Sequence, residues 1–202
     1  ILAQKYNVLM TPESYNTTMG VVRTINEKLS ATHNLFVCEM GAKQTGDIKE
    51  ICDLVHPTYG ILTAIGPQHL ETFKTIENVR KTKLELVDSL PKEGIAFINY
   101  EDENIKQSQI EKKHITFGLS KECNYYADEI TLSEMGANFI VLTPKGRKIE
   151  VKTKLLGKHN ITNITGAIAV CDTLGLTQEA IQAGVRFLKP VPHRLELKKY
   201  EN

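Results

Sequence analysis

No stretch of this 202-residue sequence approaches the roughly 18 consecutive apolar residues of a membrane span. No signal peptide opens it either; Ile1-Leu2-Ala3-Gln4-Lys5-Tyr6 reads instead as the end of a helix. A surplus of one charge is also missing. The 25 Lys and Arg stand against 24 Asp and Glu, a net charge of +1, so composition points neither to nucleic acid nor to an anionic membrane surface. Cysteine is scarce. Cys38, Cys52, Cys123 and Cys171 show no CxxC spacing. Together with the absent signal peptide this predicts a reducing, cytoplasmic setting, with ordinary thiols rather than disulfides or a metal knot. Internal repeats and low-complexity tracts are lacking too.

What is present suits a soluble α/β chain. The apolar fraction of 41% can build a core and the 24% of charged residues can cover it. The length allows one large domain or two small ones. Neither end reads as a boundary: no Met opens the chain, and past His193-Arg194-Leu195-Glu196 it runs on to Asn202 without a cap or turn. A piece of a longer protein, cut at both ends, is expected.

The central stretch is Thr58 to Glu85. The apolar run from Tyr59 to Ile65, bounded by Pro57 and by Gly66-Pro67, predicts a buried strand. Gln68, His69 and Glu71 follow, and then a helix from Thr75 to Leu90 that carries Lys83 and Glu85. In an open α/β sheet ligands sit beyond the carboxyl ends of the strands, which is where His69 falls. Upstream, Asn7–Met10 and Asn34–Cys38 read as strands. Met19–Leu29 and Asp47–Val55 read as helices, and the second strand delivers Glu39 to its carboxyl end. Ile95–Asn99 is a further strand. This alternation predicts parallel βαβ units, a mostly parallel sheet flanked by helices. Between residues 114 and 156 the pattern changes. Strands at Tyr125–Leu132, Asn138–Thr143 and Lys148–Lys152, with Met135-Gly136 and Pro144-Lys145-Gly146 between them, predict a small antiparallel meander. Helices return at Asn160–Leu174 and Thr177–Leu188, the last with Thr177 as N-cap.

Four constellations carry chemistry. Glu39 and His69, a carboxylate and an imidazole past consecutive strands, suit a divalent cation such as Mg²⁺, which takes only one or two protein ligands. Taken alone they read more readily as a capping Glu and a solvated loop His. Lys83 lies among Arg80, Lys81, Glu77 and Glu85 on an ordinary charged helix face, and acts as a base or nucleophile only where burial lowers its pKa. Asn160 and Asn163 share a helix face, and carboxamides can pair with both edges of an adenine; simple N-capping by Asn160 is the alternative. Arg194 offers a phosphate fork or is a linker arginine.

Taken in order, Glu39-Met40-Gly41-Ala42, Asp47-Ile48, Gly66-Pro67-Gln68-His69-Leu70-Glu71, Lys83-Leu84-Glu85, Asn99-Tyr100-Glu101-Asp102, Gly157-Lys158-His159-Asn160-Ile161-Thr162-Asn163 and His193-Arg194-Leu195-Glu196 resemble the Mur ligases. The likeness spans nearly the whole chain. It is greatest to the branch that joins D-alanyl-D-alanine to a UDP-N-acetylmuramoyl-tripeptide. The resemblance implies a central ATP- and Mg²⁺-binding domain over residues 1–202, P-loop-NTPase-like in fold, of a cytoplasmic ligase of peptidoglycan synthesis; a monomer is expected, although the sequence does not fix the oligomeric state. It implies that ATP activates the substrate carboxylate as an acyl phosphate, from which the amine of D-alanyl-D-alanine displaces phosphate. By motif, Glu39 and His69 correspond to Mg²⁺ ligands, and Lys83 to a carbamylated lysine that helps hold a second Mg²⁺. Asn160 and Asn163 correspond to adenine-side contacts and Arg194 to a phosphate contact. Asn16, Thr17 and Thr18 stand in the muramoyl-peptide loop. The family's GxxGKT/S phosphate loop is not in the sequence, so little or no ligase activity is expected of this piece alone. A folylpolyglutamate- or cyanophycin-synthetase-like ligase, or a non-catalytic nucleotide- or partner-binding module, are the competing readings.

Overall fold

The computed structural model describes residues 1–67 and 69–190. The chain divides into two compact units, Tyr6–His114 and a second made of Ile1–Lys5 with the chain from Ile115 on. Arg194 lies outside the described residues.

The first unit begins with β1 (Val8–Met10), α1 (Thr18–Lys28) and β2 (Leu35–Val37), a βαβ element whose strands pair in parallel with Val8 opposite Leu35. The α1 helix starts where Thr17 accepts a bond from the Gly20 amide at 3.3 Å. Next come α2 (Asp47–Val55), β3 (Tyr59–Leu62), the single-turn α3 (Leu70–Phe73), α4 (Ile76–Asp88) and β4 (Ile95–Asn99). β3 and β4 pair in parallel, Tyr59 opposite Ile95. A one-turn α5 (Glu103–Lys106) follows, capped by Asp102, whose carboxylate accepts the Ile105 amide at 3.0 Å. The core gathers Ile48 and Cys52 from α2, Leu62 and Ile65 from the β3 arm, Val79 and Val87 from α4, and Ala96 and Ile98 from β4.

The expectation of a wholly buried strand at Tyr59–Ile65 needs correction. β3 ends at Leu62 and alternates: Gly60 and Leu62 are buried, whereas Tyr59 and Ile61 are about 40% and 38% exposed. Only one face packs inward. Gly60 is there because a Cβ would lie 3.0 Å from the Leu86 side chain of α4. The opening segment forms a 3-10 turn at Leu2–Gln4.

The second unit holds β5 (His114–Gly118, from Ile115), β6 (Tyr125–Ser133), β7 (Gly136–Leu142), β8 (Lys148–Thr153), α6 (Lys158–Thr173) and α7 (Gln178–Arg186). β6, β7 and β8 form the expected antiparallel meander. Its turns use Gly136 (φ 138°) and Gly146 (φ 74°), conformations that favour glycine. β5, which has no counterpart in the sequence reading, pairs with β6 in parallel, so the antiparallel region begins at Tyr125 and not at residue 114. The link between these parallel strands is short. It is held by Thr116 and Asn124, which bond each other's backbone amides through their side chains at 3.0 and 2.9 Å. α6 is buried along most of its length, and Gly166 meets the ring of Phe117, where a Cβ would come to 2.7 Å. Asp172 of α6 accepts from the Tyr125 hydroxyl at 2.7 Å and pairs with Arg147. Thr177 caps α7 as expected, accepting from the Ala180 amide at 3.2 Å.

Candidate functional site

The loop after β2 is built around Glu39. Its amide donates to the Thr11 hydroxyl at 3.0 Å, fixing the backbone where the strand ends. Its carboxylate is exposed and accepts one bond, from the Asn16 carboxamide at 3.3 Å. Asn16 also accepts the Gly41 amide at 2.6 Å, and Gly41 has no room for a side chain because a Cβ would meet the Asn16 carboxamide at 2.9 Å. Asn16 therefore holds both the backbone and the side chain of the Glu39 turn. Of its neighbours, Thr17 is occupied as the cap of α1 and Thr18 is the first residue of that helix.

Lys83 is half-buried on α4. Desolvation lowers its pKa below the ordinary 10.5, and the negative charge of Glu39 works in the opposite direction. The two groups thus feel each other's field. This departs from the ordinary charged helix face read in the sequence: Arg80 pairs with Glu77 on that face, while Lys83 is half-buried and within the field of Glu39. Glu85 points elsewhere. Its two oxygens accept the amides of Gly46 at 2.8 Å and Lys49 at 2.9 Å, closing the N-terminus of α2. That role was missed in the sequence, where a Glu on a polar helix face gives no sign of a partner more than 35 residues away.

His69 stands at the N-terminus of α3 with a left-handed backbone (φ 53°), its side chain exposed and making no capping bond. Thr72 ties this turn to the Glu39 side, since its hydroxyl reaches the His69 carbonyl at 3.0 Å and also the carbonyl of Lys43. Among the described residues no three His, Cys, Asp or Glu side chains gather as a metal cage. A magnesium site does not need one, because Mg²⁺ keeps several waters and is held by one or two carboxylates together with substrate phosphates. The exposed Glu39 carboxylate, with free lone pairs, fits that ion, and the exposed His69 imidazole is a softer nitrogen donor.

In the second unit, helix α6 begins at Lys158 with Gly157 (φ 92°) as its N-cap, which corrects the reading of Asn160 as a capping residue. Asn160 is half-buried and its amide donates to the Leu156 carbonyl at 2.8 Å. That leaves its carbonyl oxygen and its second N–H as groups a ligand could meet. Asn163, one turn along, is exposed. No helix among the described residues is long and apolar enough to cross a membrane.

Residues 1–171 match a family described as the Mur ligase middle domain. The chain is 33% identical over 199 residues to the UDP-N-acetylmuramoyl-tripeptide–D-alanyl-D-alanine ligase of Escherichia coli (strain K12), covering 96% of this chain and 44% of that protein. It superposes on a crystal structure of MurF from Acinetobacter baumannii with a TM-score of 0.88 at 27% identity, covering 98% of this chain and 44% of that one. The MurF ligase of Thermotoga maritima in complex with ADP gives a TM-score of 0.85 at 24% identity, a likeness of fold, over 98% of this chain and 46% of that one. The chain thus spans less than half the length of each of these relatives.

Proposed function

The chain belongs to the Mur ligase family, as its middle domain, and from that premise we propose that Glu39, His69 and Lys83 form the magnesium and phosphate side of an ATP-dependent amide-bond ligase. The reaction is the addition of D-alanyl-D-alanine to a UDP-N-acetylmuramoyl-tripeptide. The substrate carboxylate attacks the terminal phosphoryl group of ATP, giving an acyl phosphate and ADP. The amine then attacks the acyl carbon and phosphate leaves with the C–O bonding pair. A bound Mg²⁺ supplies neutralisation of the phosphate charge. The chain's own residues do the rest. Asn16 orients the Glu39 carboxylate, Glu39 and His69 hold the cation, and Thr17 and Thr18 lie beside Asn16 where the muramoyl-peptide end would approach. Burial favours the neutral amine of Lys83. A neutral amine can add CO₂ and release a proton, so that a cation becomes a carbamate anion suited to a second Mg²⁺. Asn160 and Asn163 offer carboxamides of the kind an adenine edge pairs with, and Arg194 a fork for phosphate. The name of the Escherichia coli relative supports this specificity over a folylpolyglutamate- or cyanophycin-type ligase.

The observation that carries the reading is a strand-end carboxylate, held by Asn16 and sharing its field with a half-buried lysine. Calorimetry of ATP with and without Mg²⁺ tests it. Binding that requires Mg²⁺ and falls at least about ten-fold in His69→Ala and in Glu39→Gln is the expected result. Mg²⁺-independent binding that both variants retain would remove these residues from the site.

A further inference from the structure

The arm that carries His69 leaves β3 at Leu62, and its backbone then runs on through Thr63, Ala64 and Ile65 outside the strand. Side chains from the turn after β4 take over. Asn99 donates to the Thr63 carbonyl at 2.6 Å. Asp102 accepts the Ile65 amide at 2.9 Å. Asn104 donates to the Ile65 carbonyl at 2.8 Å. Both polar groups of the Ile65 backbone are therefore satisfied by side chains 37 and 39 residues further along. Two of the three clamping residues also bond their own turn: the second oxygen of Asp102 caps α5 at Ile105, and the Asn99 oxygen accepts the Glu101 amide at 3.0 Å. Ile65 itself is 1% exposed and sits in the core. The arm is thus fixed at one end by three short bonds and a buried side chain. Four residues later the chain presents His69.

We propose that Asp102 and Asn104 are positioning residues of the ligase site, setting where His69 stands by fixing the backbone of Ile65. The inference rests on the reading of His69 as a cation ligand. It adds that this ligand is aimed from the turn after β4. A side chain that orients a metal ligand from outside the coordination sphere is typically worth about ten-fold or more in metal affinity. A residue needed only for folding would lower stability and leave the affinity of the folded fraction alone.

Mn²⁺ serves as the probe, with free ion counted by electron paramagnetic resonance on the folded 202-residue chain. Four proteins are compared: wild type, His69→Ala, Asn104→Ala and Ser108→Ala. Ser108 is the control, because its hydroxyl bonds the Asn104 carbonyl at 2.8 Å and so loosens the same turn without touching the arm. Expected is a loss of about ten-fold in Mn²⁺ affinity for His69→Ala and a comparable loss for Asn104→Ala, with Ser108→Ala unchanged. If His69→Ala weakens binding and Asn104→Ala does not, the positioning role is wrong and the proposed site survives. If wild type binds no Mn²⁺, or His69→Ala binds as wild type does, the site reading fails and this inference falls with it. Should Asn104→Ala not fold, the isosteric Asn104→Asp sets a carboxylate against the Ile65 carbonyl, and wild-type affinity in that variant equally overturns the proposal.

Discussion

Burial lowers the proton affinity of Lys83, and the carboxylate of Glu39 raises it. Burial is the larger of the two, and this fixes the sign of a pH effect on stability. A lysine whose charged form is disfavoured by folding costs stability at every pH below its folded pKa. The cost shrinks as pH climbs from that value toward the ordinary 10.5, because in this window the unfolded chain binds more protons than the folded one. Wild type is therefore expected to gain stability relative to Lys83→Met as pH rises toward the ordinary 10.5. Urea unfolding of both proteins across that range measures it, and parallel curves would show that Lys83 is not desolvated. The sequence made this residue visible only by resemblance. On its own helix it is one cation among several, and nothing local distinguishes the one that loses water from those that keep it.

Helices with a long apolar period were legible: α1, α2, α4 and α7 fall within a residue or two of where the spacing predicts them, and Thr177 caps α7 as its position suggests. One-turn elements were not. α3 and α5 are four residues each, too short to show a period, and α5 exists because Asp102 caps it. The contact between α2 and α4 was equally invisible, although it governs the loop after Glu39. Glu85 there acts as a built-in anion for the helix N-terminus, taking the amides of Gly46 and Lys49 that would otherwise lack partners. Glu85→Ala is expected to destabilise the chain by about 1–3 kcal/mol, the cost of leaving charge-assisted bonds unmade, with Glu85→Gln between the two. Equilibrium denaturation gives the magnitude. Amide hydrogen exchange gives the location, with faster exchange at Gly46 and Lys49 than at the far end of α2. A uniform rise along α2 would mean that Glu85 acts through packing and not through the cap.

At the scale of the whole chain the alternation of strands and helices was enough to read an α/β fold, because period and breakers are local signals. The division into two units was not readable. Its boundary, between His114 and Ile115, falls inside β5 with no linker composition to mark it. The four cysteines are likewise spread over the chain, and their states depend on burial that no local pattern encodes. All four are free. Burial pushes Cys38 up to about 11 and Cys171 up to about 12, and raises Cys52, whose sulfur lies 3.7 Å from that of Met40. Since the thiolate is the reacting species, a thiol at about 11 is only about 0.1% ionised at pH 8, against roughly a quarter for an ordinary cysteine. Cys38 is the most exposed of the four and yet should react at least about a hundred-fold more slowly with a disulfide reagent than a free cysteine does. In denaturant all four should titrate at once and at the ordinary rate. A native Cys38 that reacts as fast as free cysteine would place its sulfur in water, and with it the backbone of the Glu39 turn, whose carbonyl that thiol faces at 3.8 Å.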